Sequence, residues 1–192
     1  MKNQNSARIL KSPVNDPKEK ILEASLRVFL RLGYGGATLS TIAKEAGMSK
    51  QLVLYHLKSP EDALVSLAHR WGETGRMVTI ETLAETYGSA EDRILAIVVA
   101  TFKWMKQYKA LSSLTPVLFQ STPLLGPLKS LQTSTLETGF VRIVGFLRNV
   151  KGFENMREEG LLEVARVIHS SIMGCSLYVI GLDQWNLIDR SE

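Results

Sequence analysis

Apolar residues recur along this 192-residue chain at the three- and four-residue spacing of amphipathic helices, and no segment has the alternating pattern of a strand. The first such helix is predicted to begin at Asp16 and Pro17 and to end at Gly33. Aspartate caps helix N-termini well, proline suits the first helical position, and glycine suits the stop. The pattern therefore predicts an all-α protein of about nine helices.

Two short amphipathic patterns follow, one opened by Thr38 as its cap and the other spanning residues 50–57. The glycine and serine of the turn between them, at 47–49, suit the end of one helix and the cap of the next. Two helices joined by such a turn form a helix-turn-helix, whose second helix enters the major groove of DNA. The buried face of that second helix is predicted to comprise Val53, Leu54 and Leu57.

Longer helices are predicted for the remainder of the chain. Ser59 and Pro60 supply a cap and a first-position proline for a connector helix that is expected to reach about Tyr87. The elements predicted after it are a helix of about 20 residues from Ser89, a short apolar element at 111–119 interrupted by Pro116, a loop bracketed by Thr122-Pro123 and Gly126-Pro127, and long helices at about 128–149 and 158–182.

The chain divides on these patterns into a flexible N-terminal arm at 1–15, a head at 16–64 that carries the helix-turn-helix, and a helical body at 65–192. Positive charge is concentrated toward the N-terminus: residues 1–70 hold 11 Lys and Arg against 6 Asp and Glu, while residues 71–192 hold 12 against 13. A basic module on a neutral body is typical of a protein whose one module contacts phosphate.

Cysteine usage and hydropathy indicate where the protein acts. The single cysteine, Cys175, excludes an internal disulfide and is typical of a reducing compartment. The N-terminus has no long apolar run, and no uninterrupted apolar stretch reaches the roughly 18 residues of a membrane span. We expect a cytoplasmic protein that does not contact the membrane.

The second short helix offers side chains suited to DNA. Lys50 and Gln51 in its first turn can pair with guanine and adenine, and Leu52 can contact a thymine methyl group. Side chains one turn later can reach phosphate oxygens, and the N–H groups opened at the start of the preceding helix can face a phosphate. The residues predicted to contact DNA are Thr38, Ser49, Lys50, Gln51, Leu52, Tyr55, His56 and Lys58.

Catalytic and metal-binding patterns are not found in the sequence. The histidines His56, His69 and His169 are far apart and lack the spacing of metal ligands, and no phosphate-binding glycine loop occurs. We predict no enzyme activity, no catalytic residues, no metal and no cofactor. Two alternatives stay open, which are a helical ligand carrier or enzyme whose head only packs, and an activator or nucleoid-type DNA binder without an effector.

A specific series of residues runs through the first third of the chain: Lys20-Ile21-Leu22, Phe29, Gly33-Tyr34, Thr38, Ile42-Ala43, Ala46-Gly47-Met48-Ser49, Tyr55-His56-Leu57-Lys58-Ser59 and Leu64. In order and spacing it resembles the TetR family of one-component transcriptional regulators. Two positions depart from the family pattern, because Leu54 stands where tyrosine is usual and Pro60 stands where lysine is usual. In the family both of these residues typically contact the DNA backbone.

The resemblance implies a homodimeric repressor whose C-terminal helices pair and whose body encloses a pocket for a small effector. Effector binding is expected to respace the two heads and to release a double-stranded DNA operator. The apolar and aromatic character of the central helices indicates a hydrophobic or aromatic effector. The candidate pocket residues are Phe102, Trp104, Met105, Phe119, Phe140, His169 and Met173.

Overall fold

The computed structural model describes residues 16–188, and every regular element in that range is helical. The predicted arm at 1–15 and the last four residues of the body lie outside the described residues. The all-α fold is confirmed. Within 16–188 the elements are α1 (Pro17–Leu32), α2 (Leu39–Ala46), α3 (Lys50–His56), α4 (Pro60–Glu85), α5 (Ala90–Gln107), α6 (Lys109–Ser112), α7 (Thr115–Ser121), α8 (Gly126–Leu147), α9 (Glu158–Gly181) and a 3-10 helix (Trp185–Leu187).

The helices of the head begin and end where local chemistry predicts. The Asp16 carboxylate accepts a hydrogen bond from the N–H of Lys18 at 2.9 Å, which caps α1. Gly47 ends α2 in the left-handed conformation, with φ 65° and ψ 32°, which a residue with a side chain rarely adopts. Ser49 then caps α3 by accepting from the N–H of Leu52 at 3.2 Å. These contacts fix the two helices and the turn of the predicted helix-turn-helix.

One prediction about α3 is wrong. Val53 and Leu57 are buried as expected, but the side chain of Leu54 is 50% exposed. Residues four apart share one face of a helix, whereas neighbouring residues point about 100° apart, so Leu54 cannot follow Val53 into the core of so short a helix. The buried face of α3 is therefore narrower than the sequence predicts, and Leu54 belongs to the outer surface.

The core of the head is closed and aromatic at its centre. Phe29, Ile42 and Val53 are fully buried, and the Phe29 ring stacks on Tyr34 with ring centroids 6.4 Å apart. Leu26, which is half-buried, packs at the edge of this cluster. Burial, and secondarily the negative charge of Glu61, raises the pKa of the Tyr34 phenol.

The connector helix α4 runs through both parts of the chain. It spans Pro60–Glu85, so it ends two residues before the predicted limit at Tyr87, and it continues through Gly72 and Gly75 without a break. The predicted boundary between head and body, at residue 64, lies inside it. A movement of α4 in the body is thus mechanically linked to the head.

Two links fix α4 against the head. Ala63, Leu64 and Leu67 on its first turns are buried in the same hydrophobic cluster as Phe29. One guanidinium nitrogen of Arg70 donates to both carboxylate oxygens of Glu19 on α1, at 2.7 and 2.8 Å, with both side chains largely buried. A charge-assisted contact of this kind is stronger than a neutral hydrogen bond.

The body differs from the sequence prediction at two prolines. Pro116 lies in the first turn of α7, so it starts a helix rather than interrupting one. Pro127 likewise lies in the first turn of α8, which begins at Gly126, two residues earlier than predicted, so the predicted loop is shortened to 122–125. Both outcomes follow from the tolerance of the first helical turn for a residue without an N–H. The 3-10 helix at Trp185–Leu187 was not predicted.

Helix α9 combines length, hydropathy and exposure. Among residues 16–188 it is the helix that length and composition alone would allow to cross a membrane, with a mean hydropathy of 1.3 over 18 residues. Only 22% of that stretch is buried. Its inner side packs on α8 through a hydrophobic cluster that includes Ile143, Leu147, Leu161 and Ala165. The core helix of a globular protein meets the same criterion, so the hydropathy is weak evidence of a membrane span.

Candidate nucleic-acid interface and cavity

The outer face of α3 is exposed and carries several side chains predicted to contact DNA. Lys50 and Gln51 are exposed in its first turn, Leu52 is 38% exposed and Tyr55 is 83% exposed. These four side chains are exposed to solvent, whereas Val53 on the same helix is buried in the core. Lysine, glutamine and tyrosine there offer hydrogen-bond donors and acceptors of the kind that recognise base edges and phosphates.

The start of α2 has backbone donors that are not used within the helix. Its capping box is complete: the Thr38 hydroxyl accepts from the N–H of Thr41 at 3.0 Å, and the Thr41 hydroxyl accepts from the N–H of Thr38 at 2.8 Å. This arrangement occupies the two N–H groups. The first-turn N–H groups of Leu39 and Ser40 are the ones left for an acceptor outside the helix, such as a phosphate.

Lys58 is positioned by the capping box of α4. Its backbone N–H donates to the Asp62 carboxylate at 2.9 Å, and the same carboxylate oxygen accepts from the N–H of Ser59 at 3.1 Å. The Lys58 side chain itself is exposed. His56, at the end of α3, is half-buried and its ring meets the Tyr55 ring edge-on at 5.0 Å.

Two pairs of cations in the head differ in their partners. Arg27 and Arg31 on α1 both bind Glu45, at 2.8 and 2.9 Å, and their hydrogen bonds lower the pKa of that carboxyl group. Lys50 and Lys58 form no ion pair with any described residue. Lys50 on α3 and Lys58 just beyond it therefore carry positive charge that is free to bind phosphate.

A cavity of about 310 Å³ lies in the body and is lined by Thr115 of α7 and by four longer helices. Its volume is at the lower end of the range typical of small-molecule sites, about 300–1,000 Å³. Each of these four helices contributes residues at three- and four-residue spacing, which places them along one face. The stripes are His69, Gly72, Arg76 and Thr79 on α4, Ile97, Thr101 and Trp104 on α5, Leu131, Thr135, Thr138 and Arg142 on α8, and His169, Met173, Ser176 and Ile180 on α9.

Two tryptophans hold the cavity wall together. Trp71 donates its indole N–H to the Thr115 hydroxyl at 3.0 Å, and Trp104 donates to the Thr74 hydroxyl at 2.9 Å. The two rings meet edge-to-face with centroids 5.4 Å apart. These bonds join α4 to α7 and to α5, so the connector helix forms one wall of the cavity and is tied to two others.

Three of the seven predicted pocket residues line this cavity, namely Trp104, His169 and Met173. The other four do not. Met105 is fully buried in the core, because it lies next to Trp104 and points away from the cavity. The remaining three lie elsewhere: Phe102 lines a separate groove between α5, α9 and the 3-10 helix, Phe119 is 36% exposed on α7, and Phe140 packs behind His169.

His169 is held in an apolar setting. Its ring meets Phe140 edge-on at 5.4 Å, and it makes no hydrogen bond to another described side chain. Burial lowers the pKa of the imidazole, so the ring favours its neutral form. Within 16–188 no three His, Cys, Asp or Glu side chains are grouped so that they would hold a metal ion.

Comparison with known proteins bears on the head. A family model described as bacterial regulatory proteins of the TetR family matches residues 21–63, which contain the helix-turn-helix. The head therefore resembles regulators of this family. An HTH-type transcriptional regulator of Bacillus subtilis (strain 168), YerO, which is described as uncharacterized, is 40% identical over 53 residues. That match spans 28% of this chain and only 18% of the relative.

Solved structures extend the likeness to the body. The fatty acid degradation regulator FadR from Bacillus halodurans matches with a TM-score of 0.70 at 19% identity, over 93% of each chain. FadR from Bacillus subtilis in complex with stearoyl-CoA matches with a TM-score of 0.67 at 20% identity, over 86% of this chain and 88% of that one. SmeT in complex with triclosan matches with a TM-score of 0.67 at 17% identity, over 91% and 85%. At these identities the likeness shows the fold.

Both departures from the TetR-family pattern are visible in the head. Leu54 is an exposed apolar side chain where the family usually has tyrosine, and Pro60 is the first residue of α4 where the family usually has lysine. Neither side chain can donate a hydrogen bond to phosphate. Tyr55 and Lys58, the exposed neighbours of Leu54 and Pro60, have side chains that can.

Several polar residues of the cavity were not predicted, above all His69, Arg76 and Arg142. A usable signal was present in the sequence, since His69, Gly72, Arg76 and Thr79 recur at helical spacing along one side of the connector helix. The prediction selected aromatic and apolar residues because the central helices are rich in them. Which of these face a void, and which face the core, depends on how the helices rotate against one another.

Proposed function

We propose that this protein is a dimeric TetR-type transcriptional repressor that binds operator DNA through α3 and releases it when a small effector occupies the cavity in the body. The observation that carries the proposal is the set of exposed polar side chains on α3. The caps of the helix-turn-helix fix this helix, and Val53 anchors it in the core. A protein of this kind acts in the cytoplasm.

Uncovered apolar surface supports the dimer. Helices α8 and α9 carry large apolar side chains that one chain leaves in solvent, including Val141 at 71%, Val167 at 65% and Tyr178 at 56% exposure. A helix-turn-helix protein that recognises two half-sites needs two heads at a fixed spacing. Pairing of α8 and α9 with their copies would bury this surface and set that spacing.

The position of α4 supports control by an effector. The same helix that forms one wall of the cavity is packed into the core of the head and bound to α1 through Arg70 and Glu19. A ligand that prefers one position of α4 must therefore also prefer one position of the head. Coupling free energies of about 1–3 kcal/mol, which change an affinity about 5- to 150-fold, are typical of such linked sites.

The nature of the fold relatives is consistent with a ligand site in the body. The titles of two similar structures name a complex with stearoyl-CoA and a complex with triclosan. Triclosan and the acyl chain of stearoyl-CoA are hydrophobic, and the cavity here has apolar wall residues such as Trp104 and Met173 beside its polar ones. The cavity of this protein is small, so we expect it to accept a compact ligand.

Selection of bound genomic fragments by the purified protein tests the proposal. We expect a short sequence with two related half-sites to be recovered, and small molecules suggested by the neighbouring genes to release it. Failure to enrich any sequence would contradict DNA recognition and would favour a ligand carrier or an enzyme. Enrichment without release by any small molecule would instead favour an activator or nucleoid-type binder.

A further inference from the structure

Two arginines line the cavity without a partner. Arg142 on α8 is half-buried, and Arg76 on α4 is exposed at the cavity margin. Neither side chain forms an ion pair or a hydrogen bond with any residue in 16–188. Elsewhere in the body, Arg148 and Arg166 each pair with a glutamate.

The surroundings of Arg142 explain why it has no acid nearby. The positions three and four residues away along α8, where a helical ion-pair partner would stand, hold glycine, threonine and phenylalanine. Glu73 is the one carboxylate on the cavity lining, and it lies one turn before Arg76 without pairing with it. With two guanidiniums, one carboxylate and His169 held neutral by burial, the lining carries excess positive charge.

Apart from the exposed His69, the rest of the lining is apolar or hydroxylic. Ile172, Met173, Trp104 and Ile143 supply apolar surface, while Thr101 and Thr138 supply hydroxyl groups. The half-buried guanidinium of Arg142 is costly to leave unpaired beside such surface, because partial burial removes water without supplying an anion. Arginine is also the side chain best suited to bind carboxylates and other oxyanions through charge-assisted hydrogen bonds.

We propose that the ligand of this cavity is a compact organic anion, with a carboxylate held by Arg142 and Arg76 and an apolar body against the Trp104 and Met173 walls. This inference rests on the proposed function only in treating the cavity as the effector site. An organic cation is disfavoured despite the tryptophans, since two guanidiniums would repel it and Glu73 alone would attract it.

Matched probes that share a skeleton and differ only in charge test the proposal. Octanoate, octanamide and octylamine form one set, and naphthylacetate, naphthylacetamide and naphthylethylamine form another. Binding to the full-length protein is measured by titration calorimetry. We expect at least one carboxylate to bind about tenfold or more tightly than its amide, as when a charge-assisted hydrogen bond replaces a neutral one, and the amine to bind most weakly.

Substitution of the two arginines tests whether they cause the preference for carboxylate over amide. In Arg76→Gln/Arg142→Gln the carboxylate should lose its advantage, so that its affinity falls to that of the amide while the amide affinity is unchanged. Arg166→Gln, which removes an exposed arginine outside the cavity, should preserve the advantage. Thermal melts establish that each variant is folded. If the double variant is not folded, Arg76→Gln and Arg142→Gln are measured separately.

Three results would overturn the ligand class: neither carboxylate binds, an amine binds more tightly than its carboxylate, or the carboxylate preference survives removal of both arginines. Release of the operator is measured separately. If carboxylates bind with the expected dependence but do not affect the operator complex, the ligand class holds and the proposed repressor mechanism fails. If an amide or amine releases the operator, the repressor mechanism holds and the ligand class fails.

Discussion

The head and the body use different means to fix their helices. In the head, Asp16, Thr38 and Ser49 each cap one helix with a side chain, and the core that the helices enclose is closed. In the body, Ser89 caps α5 in the same way, but α6, α7, α8 and α9 begin without a side-chain cap, and the helices surround a cavity. The head is held by short-range contacts within the chain, whereas the body depends on packing between distant helices.

This contrast matches the work that each part is proposed to do. A DNA reader must hold α3 in one orientation, so that its side chains meet base edges at fixed distances. A ligand-responsive body must have more than one arrangement of similar free energy, and a void between its helices leaves them room to move. The family match is confined to residues 21–63, where these local signals are densest.

The largest expected effect comes from the closed core of the head. Phe29→Ala deletes a fully buried ring that stacks on Tyr34, and buried Phe→Ala changes cost about 3–5 kcal/mol. The same deletion at Phe119, which is 36% exposed in the body, should cost much less. Denaturant unfolding of both variants measures the difference. Equal losses would contradict the contrast between a closed head and a more open body.

The contact between the two parts comes next. Glu19→Gln removes one charge from the partly buried pair with Arg70, and the loss should be about 1–3 kcal/mol, as for a hydrogen bond to a charged group. Glu23→Gln on the exposed side of the same helix is the matched control and should be near neutral. If the two variants unfold at the same denaturant concentration, the pair does not stabilise the joint between α1 and α4.

The N-terminal cap of α2 should stabilise the fold by about 1 kcal/mol, which is less than the contribution of the Phe29 ring or of the Glu19–Arg70 pair. Thr38→Ala removes the side chain that accepts from the Thr41 N–H, while Ser40→Ala changes an exposed hydroxyl in the first turn of the same helix. We expect only the first to lower the free energy of unfolding. A loss of the same size in Ser40→Ala would show that the stabilisation does not come from the cap.

The smallest effect is a pH dependence in the body. Burial lowers the pKa of His169, so the folded protein binds a proton there less readily than the unfolded chain does. The contribution of His169 to stability is complete above the unfolded pKa of about 6.5 and is lost as pH falls through the lower folded value. Between about pH 7.5 and 5 the melting temperature should fall more in the native protein than in His169→Gln. Parallel curves would exclude this role.

The helix ends in the head could be predicted because they depend on residues that are close together in the sequence. Asp16, Thr38, Gly47 and Ser49 act on their own neighbours in sequence, so their types and spacing suffice to place the helix ends. Leu54 was missed because both faces of α3 carry leucine, and only packing on α1 and α2 decides which one is buried. The sequence therefore predicted the exposed surface of α3 except at Leu54, which it assigned to the buried face.

The cavity was less predictable for a physical reason. Trp104 and Met105 are adjacent and both apolar, yet one lines the void and the other is fully buried. Helix rotation decides between them, and it is set by contacts with helices far away in sequence. Arg142 has no ion-pair partner only because no acid comes near it in three dimensions, which composition alone cannot reveal.

The most direct test of the account is the affinity of the native protein and of Lys50→Ala/Gln51→Ala for the selected operator and for a scrambled fragment, measured over a series of salt concentrations. The native protein should prefer the operator, with an affinity that falls steeply as salt rises because phosphate contacts release counterions. The double variant should bind both fragments equally and weakly. Specific operator binding that survives the loss of both side chains would contradict the assignment of α3 as the DNA-reading helix.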